Sequence, residues 1–170
     1  MSNKLYIGID PGKNGGIAGI YQTHKGGLGV VEHMESSRCP DSPNGMYECL
    51  ESIIFQAADR YTIEDVELVI EHVHSFPKQG VVSTFSFGQN FGRWEGIISS
   101  FELNEYNIVS PQKWMKYYDV PKGLTRKDRK RHLMDIARKL YPDKKITYNV
   151  SDAILIANYC RERSKDGTNS

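Results

Sequence analysis

Three carboxylates stand where a folded chain seldom leaves one. Asp10 closes the apolar run LYIGID, Glu71 closes VELVIE, and Asp152 sits inside NVSDAILIANYC, a stretch apolar almost all round. Burying an ionised carboxylate is costly unless it is paired or metal-bound. Taken singly, each has an ordinary explanation: Asp10 before Pro-Gly reads equally as a turn residue, and Asp152 as a helix cap. Taken together, they can converge only if something neutralises them. A hard divalent cation does so, because Mg²⁺ takes oxygen ligands and keeps several waters. Three or four carboxylates can hold two such ions about 4 Å apart, which stabilises both the attacking and the leaving oxygen of an in-line displacement at phosphorus. That chemistry needs no nucleophilic side chain, and the chain carries no GxSxG, HExxH or GK[ST] motif.

The elements that must position these groups follow from the patterning. Leu5 to Asp10 alternates as a strand, ended by Asp-Pro-Gly. Ile17 to Tyr21 and Leu28 to Met34 read as two more strands, joined by a hairpin at Lys25-Gly26-Gly27, and 36–45 as a loop. Met46 to Tyr61 has helical spacing in Met46, Leu50, Ile53, Ile54 and Ala57. Val66 to Val73 is a β-rich, central strand. Val81 to Phe101 predicts a long helix with Gly88, Gly92 and Gly96 on one face, where a second backbone can approach closely. Tyr106 to Val109 is a short strand, and Arg126 to Tyr141 and Val150 to Arg163 are helices. The order βββ-α-β-α-β-α-α implies an α/β fold with a mixed sheet and helices on its faces. The expected layout is one domain over 1–163 and a disordered tail over 164–170.

Composition bounds the function. The 170 residues are 39% hydrophobic and 25% charged, which is ordinary globular composition. No apolar run approaches the roughly 20 residues needed to span a bilayer. The N-terminus reads as the start of the fold and not as a signal peptide. Cys39, Cys49 and Cys160 are odd in number and widely spaced, which fits a reducing cytoplasm better than a disulfide framework or zinc site. The net charge of +1 conceals an asymmetry: residues 1–112 carry −7, 113–145 carry +8, and the remainder is neutral. A basic third quarter in a near-neutral protein points to a polyanion, although a basic run is as often a solvated helix face.

The blocks IGIDPG, VIEHV and SDAILIA, in that order and spacing over roughly residues 1–160, resemble the RuvC family of Holliday-junction resolvases. The segment FPKQGVVSTFSFGQNFGRWEGII resembles the small phage-borne members. The resemblance implies a ribonuclease H-like fold, a mixed five-stranded sheet with helices on both faces. It implies Asp10, Glu71 and Asp152 as catalytic metal ligands, with two Mg²⁺ ions per site and Mn²⁺ able to substitute. The family's fourth ligand, an Asp or His one helical turn before the last Asp, falls on Asn149. Asn offers a neutral oxygen to Mg²⁺ but no charge and no base, and Asp143 is a weaker substitute. A homodimer is also implied, with the helix after Glu71 at the interface.

For DNA, the resemblance places a junction-entering aromatic at His74, with Phe76 two residues on. Phe76 is the expected wedge, assisted by His74 and Lys78, unless it packs beneath its own loop. Phosphate contacts are expected from Lys113, Lys116, Arg126, Lys127, Lys130 and Arg131. Lys127 falls where the family carries a basic residue near the scissile phosphate. Trp114, Tyr117 and Tyr118 are expected in the core or an interface rather than on bases. The resulting expectation is a Mg²⁺-dependent endonuclease that resolves four-way junctions by paired cuts. The alternatives are a broader fork and flap nuclease of the same fold, or a junction-binding protein with weak catalysis. A two-lobed actin-like ATPase is excluded by length.

Overall fold

Alternation in the strands divides the apolar residues between two layers, and the helices cover both. A computed structural model describes residues 3–24, 30–58, 65–72, 80–103 and 105–167. Strands β1 (Lys4–Asp10), β2 (Gly16–His24) and β3 (Val30–Arg38) form an antiparallel meander, followed by helix α1 (Pro43–Ala58) and strand β4 (Val66–Glu71). Then come α2 (Val81–Ser100), β5 (Tyr106–Val109), α3 (Pro111–Tyr117), α4 (Arg126–Leu140) and α5 (Tyr148–Gly167). The sheet order is β3-β2-β1-β4-β5, with β4 parallel to both β1 and β5. This is the mixed five-stranded sheet expected.

On one face Leu5, Ile7, Ile9, Leu68 and Ile70 pack against α1 and α2 through Leu50, Ile53, Trp94 and Ile98. On the other, Tyr6, Ala18, Ile20 and Val69 pack against α3, α4 and α5. Every residue from Val150 to Cys160 is buried, so α5 is the central helix of that layer.

Three differences from the sequence pattern have physical causes. β3 runs on through Glu35, Ser36, Ser37 and Arg38, because pairing with β2 from Gly16↔Arg38 to His24↔Val30 satisfies the backbone of a polar edge strand. α3 has no counterpart in the pattern, since seven residues are too short to show a helical period. Its signal is Ser110-Pro111, a capping serine before a proline at the first helical position, and Ser110 does accept from the Lys113 N–H. α5 continues to Gly167, past the expected end at Arg163, with the Ser164 hydroxyl bonded to Glu67 on β4.

Candidate active site

Period-two alternation decides where the carboxylates point. Tyr6 and Val69 lie in the α5 layer while Ile7, Ile9 and Ile70 lie in the opposite one, so Asp10 and Glu71 fall on the α5 side. The parallel register ends at Ile9↔Ile70, which sets Asp10 and Glu71 side by side at one sheet edge. Glycine brings the third carboxylate in. A Cβ on Gly8 would stand 2.2 Å from the Ala157 nitrogen and 2.4 Å from the Ala153 oxygen, so α5 lies directly on the β1 backbone. Asp152 precedes Ala153 and is therefore held over the strand that ends in Asp10.

The turn after β1 is built around Asp10. The Gly12 N–H donates to Asp10 Oδ1 at 3.0 Å, and the Gly15 N–H donates to the Gly12 carbonyl at 2.8 Å. A Cβ on Gly15 would come within 2.1 Å of the Asp10 carbonyl oxygen, so no larger residue fits.

Each carboxylate is held differently. Glu71 Oε2 accepts the Trp114 indole N–H at 2.6 Å. Asp152, 7% exposed, accepts from Ser151 Oγ on Oδ1 at 3.2 Å and is ion-paired through Oδ2 with Lys130 Nζ. Burial and then the charge of Asp152 push the Asp10 carboxyl upward. Burial and then Asp10 push Glu71 up to about 8, against the pull of the Trp114 bond. Burial alone would depress Lys130, but Asp152 and Asp10 outweigh it and raise its ammonium.

These shifts describe a site with too much negative charge and one cation, which suits a hard divalent ion bound by oxygen donors. Among the described residues no group of three or more aspartate, glutamate, histidine or cysteine side chains is gathered closely enough to hold a metal ion as it stands. Lys130 is the cation that pairs with Asp152. Carboxylate oxygens with uncompensated charge are the donor type a hard divalent cation takes.

The sign of the Glu71 shift gives a stability prediction. Its folded value, about 8, lies above the ordinary 4.5, so the folded state binds the proton more tightly. The associated stabilisation is complete below the unfolded value and is lost as pH rises towards 8. In EDTA, the Tm of wild-type protein should fall between pH 5 and pH 8 relative to that of Glu71→Gln, by about 5 °C or more. Parallel Tm profiles for the two proteins would refute the shift.

The remaining expected residues separate clearly. Lys130, rather than Lys127, reaches the carboxylates; Lys127 is exposed. The signal is present in the sequence, because Lys130 extends the buried stripe of Leu133, Met134 and Ala137 by one turn. Asn149 donates its Nδ2 to the Asn14 carbonyl at 3.0 Å, which ties the start of α5 to the β1–β2 turn. Lys113, Lys116, Arg126 and Arg131 are exposed on α3 and α4. His74, Phe76 and Lys78 lie outside the described residues. Trp114 is core, as expected, but its bond to Glu71 is not legible from sequence. On α2, a Cβ on Gly88, Gly92 or Gly96 would meet nothing within 4 Å, so these glycines do not pack on the sheet.

No helix among the described residues is long and apolar enough to cross a membrane. No protein-family model matches the sequence, and no curated protein does. Solved structures do match. Thermus thermophilus RuvC aligns with a TM-score of 0.57 and 12% identity, covering 96% of this chain and 97% of that one. T. thermophilus RuvC in complex with Holliday junction substrate aligns with a TM-score of 0.58 and 14% identity, again over 96% and 97%. The chain thus has the fold of RuvC, a mixed five-stranded sheet with helices on both faces.

Proposed function

We propose that this protein is a metal-dependent endonuclease that resolves four-way DNA junctions by paired hydrolysis of phosphodiesters. The observation that carries this reading is the meeting of Asp10, Glu71 and Asp152 at one sheet edge, with Lys130 among them, on a fold shared with a resolvase solved on junction DNA. Asp10, Glu71 and Asp152 would hold Mg²⁺, with Mn²⁺ as a substitute and two ions as the expected count. Asn149 Oδ1 is the fourth donor in this reading. When bound, the metal supplies an activated water and neutralises charge building at phosphorus. The residues would do the rest: Asp10 and Glu71 would offer carboxylate oxygens whose charge burial disfavours until a cation offsets it, and Lys130, paired with Asp152, would put a positive charge beside the phosphate. The exposed cations of α3 and α4 track the backbone, which gives affinity and salt dependence without sequence information. His74, Phe76 and Lys78 are assigned to the junction centre.

Two cuts need two sites, and α2 offers the dimer face. Val81, Val82 and Phe85 are 85%, 80% and 69% exposed. Val81, Phe85, Gly88, Gly92 and Gly96 share one face by helical spacing, so an apolar end continues into a groove with open space above it. Two copies related by a two-fold axis would cross there. Sedimentation should give a dimer for wild-type protein and a folded monomer for Gly92→Arg. A wild-type monomer that still makes paired cuts would rule out this interface.

The function is tested with wild-type protein, Mg²⁺, an immobile four-way junction, a Y-fork and a linear duplex. Symmetric nicks confined to the junction are the expected result. Equal cutting of fork and junction would replace it with a general branched-DNA nuclease. Tight junction binding without any cut would make the protein an architectural one.

A further inference from the structure

Trp114 sits in the core, yet its polar atom is aimed at the site. β5 ends at Val109 beside Glu71, its register partner, and the chain turns at once through the Ser110 cap into α3. One turn later Trp114 is 1% exposed, with its indole N–H on Glu71 Oε2 at 2.6 Å. The ring is itself fixed. It meets Tyr118 edge-on, with centroids 6.3 Å apart and planes at 74°. The Tyr118 hydroxyl donates to the Leu155 carbonyl of α5 at 2.6 Å and accepts from Asn158 Nδ2 at 3.0 Å. A continuous bracket therefore runs from Glu71 through Trp114 and Tyr118 to the helix that carries Asp152.

We propose that Trp114 is a positioning residue for the metal centre, pinning Oε2 of Glu71 so that Oε1 is presented to the cation in register with Asp152. This rests on the nuclease reading above. The chemistry of indole suits that role, because the ring is a donor only, carries no charge and does not titrate. It can therefore orient a carboxylate without competing with a cation for it, which Lys130 on Asp152 must do. Groups that hydrogen-bond a metal ligand from behind typically change metal affinity or activity 10- to 100-fold when removed.

The test uses Mn²⁺ as probe and reads binding apart from cleavage. Trp114→Phe keeps an aromatic ring and deletes the N–H. Trp94→Phe, the same truncation in the opposite core layer, is the packing control. Electron paramagnetic resonance should show Mn²⁺ affinity weakened about tenfold or more in Trp114→Phe and unchanged in Trp94→Phe. In ¹⁵N-labelled wild-type protein the two tryptophans give two indole signals. The Trp114 signal should shift in Glu71→Gln while the Trp94 signal stays put, and it should broaden at lower Mn²⁺ than the Trp94 signal does. Should Trp114→Phe fail to fold, the response of that signal to Glu71→Gln and Mn²⁺ decides alone. Wild-type Mn²⁺ affinity in folded Trp114→Phe, or an indole signal indifferent to Glu71→Gln, overturns the assignment. Mn²⁺ binding with these effects but no junction cleavage defeats the nuclease reading and leaves the Trp114 assignment standing.

Discussion

Asp10→Asn should reduce paired nicking of a four-way junction by about 10³-fold or more at saturating Mg²⁺, while junction affinity holds. The magnitude follows from what the substitution removes. Asn has the same shape and can still accept the Gly12 N–H that now bonds Asp10 Oδ1. The turn is therefore kept and only the charge is lost. A metal's contribution to transition-state charge is several kcal/mol, and about 4 kcal/mol corresponds to about a thousandfold in rate. The same variant has a second signature of opposite sign. Asp10 is disfavoured as an anion by burial and by Asp152. Replacing it with a neutral group should raise the Tm of the metal-free protein at pH 8, and Mg²⁺ should then raise the Tm less than it does in wild type. A folded Asp10→Asn protein that nicks junctions at near wild-type rate would remove Asp10 from the site, and with it the metal reading. A variant that is both inactive and destabilised in EDTA would mean that Asp10 is structural.

How much of this is legible in the sequence depends on whether the signal is local. Strand ends can be read one residue at a time, so Asp10 and Glu71 stand out as carboxylates closing apolar runs, and α5 as a helix without a polar face. The sheet and its two helical layers follow from the order of elements and the need for crossovers. What fails is anything decided by the partner of a residue. β3 looks like a loop beyond Met34 because its polar end is a strand only when β2 lies beside it. Lys127 and Lys130 are both basic and three apart; only the inward stripe of α4 separates the exposed one from the one on Asp152. Asn149 has a ligand's place in its motif, but its amide is bonded to Asn14, 135 residues away in the chain. Trp114 has the composition of a core residue and is one; that its N–H meets Glu71 is a fact of three-dimensional contact.

Gly8 is where fold and site become the same question, and its substitution should have a large structural effect. Local preference argues for a larger residue, since Gly in a strand interior is unfavourable and Val is among the best strand formers, by up to about 1 kcal/mol. Packing argues the other way. The atoms that a Gly8 side chain would meet are the backbone nitrogen of Ala157 and the backbone oxygen of Ala153. A flexible side chain could swing aside, whereas helix backbone can move only with the whole of α5. That helix is buried from Val150 to Cys160 and packs on β1, β2, β4 and α4. Ordinary overpacking costs about 1–3 kcal/mol, and a clash with rigid backbone exceeds that range. Against a total stability of about 5–15 kcal/mol, Gly8→Ala should lower Tm by about 10 °C, and Gly8→Val should leave no cooperative unfolding transition. The site must fail along with the fold. Any outward shift of α5 carries Asp152 away from Asp10 and Glu71, so the folded fraction of Gly8→Ala should need more Mg²⁺ for half-maximal cleavage than wild type. Wild-type Tm and metal demand in Gly8→Ala would mean that α5 does not lie on β1 at this point, and the three carboxylates would then lose the contact that brings them together.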